Sequence, residues 1–316
     1  MSSNSLVVKA PASSANLGPG FDVFGLALAE PSDKVTLTQI AKSVKIRIAG
    51  LSAESIPTAP DKNTAGLVAK QMIKEFSLKT GIQLTIEKGI LPGTGLGSSA
   101  ASAAAAAYGI NCMFNLGLNN EELVHFAAKG EFASAGSEHA DNVSAAIYGD
   151  FIIVKSYNPL KIVNLKAPPD LRISVAYPRI PTPPHKTEKA RSVVPKQIPM
   201  EKIVYNVGMA AAMASGFANY DIEIIGSSMN DAIVEPRRAF LVPSYEKVKQ
   251  NALKVGACGV AISGAGPAMI AVVDKKKADA VKVAQAMKEG FESAGLDAEA
   301  FATKPGRGAH ITETKK

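Results

Sequence analysis

Pro92-Gly93-Thr94-Gly95-Leu96-Gly97-Ser98-Ser99-Ala100-Ala101 is the stretch on which the reading of this chain turns. Three glycines in five positions (93, 95 and 97) permit backbone conformations closed to other residues and let main-chain N–H groups approach a ligand closely. Seven of the eight residues from Ala100 to Ala107 are Ala, the strongest helix former, so a helix is predicted to start at the two serines. A helix N-terminus carries unpaired N–H groups and a partial positive charge, which suits a phosphate. The stretch lacks the Gly-Lys-Ser/Thr of a Walker A loop, and no acidic residue follows a second strand as a dinucleotide fingerprint requires. It reads either as a phosphate-holding glycine loop of another kind or as a structural turn ahead of an Ala helix.

On the N-terminal side, β-type alternation marks residues 5–9, 34–40, 44–48 and the run Ile82, Leu84, Ile86. A helix is predicted from Asn63, as N-cap, to about Phe76, with Val68, Met72 and Phe76 on one face. On the C-terminal side a second helix starts after Asn119-Asn120 and a strand covers 151–155. Residues 159–169 read as a connection with a short strand, and 178–184 as a Pro-rich loop. Helices are predicted around 200–220 and 245–255. Strands at 259–263 and 269–274 flank a glycine turn, and a helix follows with Ala280, Val283, Met287 and Phe291 on one face. No period of 20–50 residues repeats, which excludes a solenoid. The mixture lacks a βαβ rhythm, so the fold class is α+β, with one domain over residues 1–160 and a second over 161–316.

Composition excludes several function classes. The 316 residues include 35 Lys and Arg against 28 Asp and Glu, a formal net charge of +7. These cations are dispersed, and the tight cluster Lys275-Lys276-Lys277 reads as a solvated face opening a helix, so no nucleic acid is expected. Trp is absent, which argues against a base-stacking surface. Cys112 and Cys258 have no CxxC partner, and the four His are scattered, so neither a disulfide framework nor a zinc site is expected. Residues 1–9 show no apolar signal region. Residues 100–118 are nearly uncharged yet too weakly apolar to span a bilayer, and read as a buried helix of a soluble, cytoplasmic protein with no membrane partner.

Two more segments share the small-residue character. Pro11-Ala12-Ser13-Ser14-Ala15-Asn16-Leu17-Gly18-Pro19-Gly20-Phe21-Asp22 reads as a defined loop rather than a strand, with Asn16 and Asp22 projecting polar groups. Ile262-Ser263-Gly264-Ala265-Gly266-Pro267 reads as a glycine turn between strands, serving a hairpin or a ligand. In this order the three segments resemble the motifs of the GHMP small-molecule kinases, the family of galactokinase and mevalonate kinase, and the resemblance runs from Pro11 to about Phe301. It implies an N-terminal α+β domain related in shape to a ribosomal protein domain, a C-terminal ferredoxin-like α+β domain, and ATP between them. Within the family, Ser-Ala-Asn-Leu-Gly-Pro-Gly-Phe-Asp at 14–22 is most similar to the members that phosphorylate homoserine. So are Glu138-His139-Ala140-Asp141-Asn142-Val143, Thr187-Glu188-Lys189-Ala190-Arg191 and Glu235-Pro236-Arg237-Arg238. Two departures stand out: Glu138 replaces the usual Gly before the His, and Gly264-Ala265-Gly266 replaces Gly-Ser-Gly.

The resemblance implies transfer from Mg²⁺-ATP to the hydroxyl of L-homoserine, a step of threonine biosynthesis; family members often pair, so a homodimer is an expectation. The implied nucleotide-binding residues are Pro92, Gly93, Gly95, Leu96, Gly97, Ser98, Ser99 and Ala100. The implied metal ligands are a loop hydroxyl, Ser98 or Ser99, and Glu131, placed after the second helix. Arg191 and Arg238 would fork the substrate carboxylate, and Asp141 and Asn16 would accept from its ammonium. Asp22 would accept from the reacting hydroxyl, as a general base or as a positioning group. His139 would line the alcohol site, Gly264 would border it, and Thr187 would support the chemistry from the second domain. Two rival readings are a family member acting on another carboxylate-bearing alcohol, shikimate or mevalonate, and a catalytically silent binder of ATP or metabolite.

Overall fold

The computed structural model describes residues 5–135, 140–181, 183 and 186–315. A seven-stranded sheet is built from β1 (Ser5–Asn16), β2 (Gly20–Ile40), β3 (Val44–Gly50), β4 (Gly81–Lys88), β5 (Phe151–Tyr157), β6 (Leu160–Leu165) and β11 (His310–Lys315). A four-stranded antiparallel sheet has the order β10-β7-β9-β8, from β7 (Leu171–Pro178), β8 (Gly259–Ile262), β9 (Met269–Asp274) and β10 (Ala298–Thr303). The architecture is the expected α+β. β5 and β6 pair with each other across the expected division at 160/161, and β11 returns from the far end of the chain to pair with β1. The chain crosses between sheets after Leu165 and comes back after Thr303.

The stretch from Pro11 to Asn16 is not a loop. β1 pairs with β2 along its whole length, and Pro11 sits where the register shifts, a position at which a strand tolerates proline. Only residues 17–19 turn, and Asn16, Leu17 and Asp22 take left-handed backbone conformations at φ of 74°, 50° and 58°. The small residues that suggested a loop are instead buried in tight pairing and packing.

α1 (Thr64–Glu75) is capped as expected, with Asn63 Oδ1 accepting from the N–H of Gly66 at 3.2 Å. α2 (Ser98–Phe114) rests on β1 and β2 and is flanked by α1, α3 (Asn120–Ala135) and α4 (Asp141–Tyr148). Its Ala run lets backbones close in from several sides; a Cβ on Gly109 would run into Leu37. Beyond β7 come α5 (Lys186–Ser192), α6 (Met200–Asn219), α7 (Ile222–Ser227), α8 (Glu235–Arg238), α9 (Tyr245–Lys254) and α10 (Ala280–Glu292). Alternation along β9 divides its side chains between two cores. Ile270 and Val272 join the core shared with α6, α7 and the first sheet, whereas Met269, Ala271 and Val273 join the one under α9 and α10. Phe217 of α6 stacks on Phe151 of β5 with centroids 3.9 Å apart, so one apolar core bridges both sheets.

Lys275, Lys276 and Lys277 lie in the turn before α10 rather than on a helix; the first two pair with Asp170 and the third with Glu223. Among the described residues, no helix is long and apolar enough to cross a membrane.

Candidate active site

The glycine loop is anchored at both ends by one buried ion pair. Lys88, the last residue of β4, donates through Nζ to Asp33, to the carbonyl of Ser98 at 2.8 Å and to Ser102 Oγ at 3.0 Å. Asp33 Oδ1 accepts from the N–H groups of Gly89 and Ile90 where the loop begins, at 3.0 and 3.1 Å. Burial pulls the Lys88 ammonium down, and Asp33 opposes that shift. A buried pair of this kind fixes geometry more than it adds stability, since desolvation offsets most of the attraction. Its two members are 55 residues apart, which is why no sequence motif announced them.

Gly97 caps α2 in a left-handed conformation at φ 64°, and the serines that follow diverge. Ser98 Oγ turns back to the carbonyl of Ile90 at 2.8 Å, whereas Ser99 Oγ donates to Glu131 Oε2 at 2.9 Å. Glu131 lies within α3 rather than beyond it, because the helix runs to Ala135. Burial pushes its carboxyl up to about 7, and the nearby charge of Asp141 adds to that while the Ser99 hydroxyl opposes it. Leu96 and Ala100 send their side chains into the core, so each can offer a ligand only its backbone. Gly95, at φ 96°, leaves no room for a side chain: a Cβ would strike the carbonyl oxygens of Ser263 and Gly266.

The third glycine turn stitches this loop to the first segment. Ser263 Oγ donates to the carbonyl of Gly95 at 2.8 Å and Gly264 N–H to the carbonyl of Ala15 at 3.1 Å. The Gly264 carbonyl accepts from Asn16 Nδ2 at 3.0 Å and from Arg238 at 3.1 Å. Arg238, 6% exposed, also donates through Nε to the carbonyl of Ala190 at 2.9 Å. Arg191 of α5 places one guanidinium nitrogen on both oxygens of Asp22, at 2.8 and 2.6 Å. Phe21 lies against both arginines, its ring centroid 5.3 Å from the Arg191 guanidinium carbon and 4.9 Å from that of Arg238. Asn16 Oδ1 accepts from the Asp22 N–H at 3.2 Å, holding the carboxylate's backbone in its left-handed turn. Asp141, the first residue of α4, is 4% exposed, and burial with the neighbouring Asp22 charge raises its carboxyl to about 6.

Asn16, Asp22, Arg191, Arg238 and Gly264 therefore form one cluster. The Asp141 charge acts on Glu131, and the Asp22 and Arg191 charges act on Asp141, so the cluster and the Ser99–Glu131 pair are electrostatically linked through it. Thr187 is half-buried on α5, four residues before Arg191. His139 lies outside the described residues, as does Glu138. Asn142, within the segment 138–143 that the sequence singled out, accepts through Oδ1 from Ser13 Oγ at 2.9 Å. Sequence reasoning missed Phe21 and Tyr157, whose hydroxyl donates to the Asp22 carbonyl at 2.7 Å. It also missed Lys186, which reaches the carbonyls of both glycine loops. Lys186 adjoins the segment 187–191 that the sequence did single out, and adjacency was the signal available for it.

Comparison with known proteins points one way. The family described as "GHMP kinases N terminal domain" matches residues 63–150, and "GHMP kinases C terminal" matches residues 213–293. A homoserine kinase of Methanocella arvoryzae is 44% identical over 308 residues, covering 98% of this chain and 97% of that protein. One from Methanococcus vannielii is 43% identical over 308 residues, covering 97% and 98%. The crystal structure of homoserine kinase from Cytophaga hutchinsonii matches with a TM-score of 0.90 at 36% identity over 97% of each chain.

Proposed function

Because the chain belongs to the GHMP kinase family, we propose that it is an ATP-dependent kinase that phosphorylates the side-chain hydroxyl of L-homoserine, yielding O-phospho-L-homoserine and ADP for threonine biosynthesis. The observation that carries the reading is the third glycine turn, which bonds to the phosphate loop through Ser263 and to the Asn16–Arg238 cluster through Gly264. A phosphate site and a pocket rich in guanidinium and carboxylate groups are thereby held side by side, as transfer between two bound molecules requires.

The N–H groups of the loop and of the first turn of α2 face the phosphates, and the positive end of the helix favours their charge. Ser99 Oγ and the Glu131 carboxylate are hard oxygen donors held together, and two protein ligands suit Mg²⁺, which takes its remaining ligands from water and phosphate. Mg²⁺ bound there would offset charge on the β- and γ-phosphates. Ser98 is spent on Ile90, which leaves Ser99 as the loop hydroxyl of this pair.

On the acceptor side, Arg191 and Arg238 attract the substrate carboxylate, while Asp141 and Asn16 offer acceptors to its ammonium. Asp22 takes the hydrogen bond of the reacting hydroxyl. Its oxygens both hold Arg191, so it orients the hydroxyl and fixes charge, which is what a loose phosphoryl transition state needs. The bond between the hydroxyl oxygen and the γ-phosphorus forms as the bond to the bridging oxygen breaks, the electron pair stays with ADP, and the hydroxyl proton leaves to Asp22 or water. Thr187, close in sequence to Arg191 on α5, borders the transfer from the second sheet's side.

ADP release with Mg-ATP against L-homoserine, mevalonate, shikimate and galactose tests this reading. Turnover is expected with homoserine well above the others. Turnover with another alcohol alone would reassign the substrate, and turnover with none would favour the silent binder.

A further inference from the structure

We propose that Lys186 is a further catalytic cation of this site, its ammonium set between the phosphate loop and the third glycine turn to receive the ATP phosphates. The inference rests on the kinase reading and adds to it a residue outside the family-like pattern Thr187-Glu188-Lys189-Ala190-Arg191.

The placement comes first. Lys186 opens α5 and donates through Nζ to the carbonyl of Gly93 at 2.7 Å and to the carbonyl of Gly266. An ammonium has three donors, and these two bonds hold it at the seam where the phosphate loop meets the turn beside the acceptor cluster. Its counter-charge is what is missing. Among the described residues no carboxylate pairs with half-buried Lys186, whereas the buried Lys88 sits on Asp33. Neither glycine loop carries an ionisable side chain: residues 89–99 and 262–268 contain none. A cation withdrawn from water without a carboxylate is unfavourable unless a ligand supplies the negative charge, and a triphosphate on the adjoining loop is such a ligand.

Electrostatics agree with the geometry. Burial draws the Lys186 ammonium down to about 8, and the Arg238 guanidinium on α8 pushes in the same direction. Other charged groups on its own helix are Glu188, Lys189 and Arg191, the last paired with Asp22. Bound phosphate would reverse the balance and favour the ammonium. During transfer Lys186 makes and breaks no covalent bond. It offsets charge on the leaving ADP as the bridging oxygen takes the electron pair, in a part of the site where the loops themselves carry no charged side chain.

A strut that merely ties α5 to the loop makes different predictions, and Lys186→Met and Lys186→Arg in the full chain separate the two. Steady-state kinetics should show kcat lowered about 10–100-fold in Lys186→Met, in line with loss of one electrostatic contact, with KM for homoserine little changed and most activity restored by Lys186→Arg. Calorimetric titration with Mg-ATP should show wild-type affinity falling as pH rises through about 8, as the ammonium loses its proton. That fall should be absent in Lys186→Arg, because guanidinium stays charged. Lys186→Gln serves as a second neutral variant if Lys186→Met does not fold. Unchanged kcat and ATP affinity in the neutral variants would overturn the inference, as would the same alkaline fall in Lys186→Arg. The two readings fail separately. If wild type ignores homoserine while the neutral variants still lose Mg-ATP affinity, the substrate is wrong and Lys186 stands. If homoserine is phosphorylated equally by wild type and neutral variants, the substrate stands and Lys186 does not.

Discussion

Glu131→Gln is expected to lower turnover at saturating Mg-ATP by about 10²–10³-fold, the equivalent of several kcal/mol of transition-state charge stabilisation at 1.36 kcal/mol per tenfold. Gln keeps the shape of the side chain and an oxygen for the Ser99 hydroxyl but removes the negative charge that would hold Mg²⁺. The same substitution should act in the opposite direction on stability. Glu131 is 7% exposed, and its carboxyl is raised from 4.5 to about 7 in the folded chain. Folding therefore favours the protonated form. Stability is fully present below about 4.5 and is lost as pH rises through about 7, by an amount on the order of 3 kcal/mol. In metal-free buffer Glu131→Gln should melt above wild type at pH 8 and close to it at pH 4.5. A variant that is more heat-stable yet nearly inactive cannot owe its inactivity to misfolding. Retained turnover in Glu131→Gln would remove Glu131 from the metal site.

Arg238→Leu is expected to raise KM for homoserine by about 10²–10³-fold, since deleting one member of a buried charge-assisted contact costs 2–5 kcal/mol. The guanidinium is almost wholly enclosed, held by the Ala190 and Gly264 carbonyls and by the face of Phe21. A substrate carboxylate reaching it meets a cation already oriented, so little is lost to ordering on binding. Leu leaves both carbonyls without this donor, and the melting temperature should fall too. The discriminating quantity is the ratio of the two Michaelis constants in one preparation: KM for ATP should stay near wild type while KM for homoserine climbs. Equal, small changes in both would mean that Arg238 serves the fold alone.

Much of the fold was legible where local chemistry decides it. The Asn63 cap, the Ala-run helix, the alternation in β4 and the apolar runs of β8 and β9 on either side of a glycine turn all depend on neighbours a few residues away. What escaped depends on pairing across the chain. The segment from Pro11 to Asn16 looks like a loop by composition, and only its partner β2 makes it a strand. β11 takes its place from β1, about 300 residues earlier, which no local pattern could show. The site divides in the same way. Asp22, Arg191, Arg238 and Gly264 were named from motif resemblance and do meet in space. Their mutual bonding, with Arg191 on Asp22 and Arg238 on Gly264, was beyond the sequence. So was the divergence of the two serines, Ser98 Oγ bonding back to the Ile90 carbonyl and Ser99 Oγ to Glu131. Lys88 and Asp33 carry no motif at all; burial of two opposite charges together is a property of the folded chain.

Transfer of a phosphoryl group from ATP to the hydroxyl of homoserine leaves a product that can be observed as it forms. Phosphorus NMR of the full-length protein incubated with Mg-ATP and L-homoserine tests it most directly. A new phosphomonoester resonance is expected that grows in step with ADP, one for one, and requires homoserine. ADP accompanied only by inorganic phosphate, or an unchanged ATP spectrum with homoserine when a parallel incubation with another alcohol converts ATP to ADP and that alcohol's phosphomonoester, would contradict it.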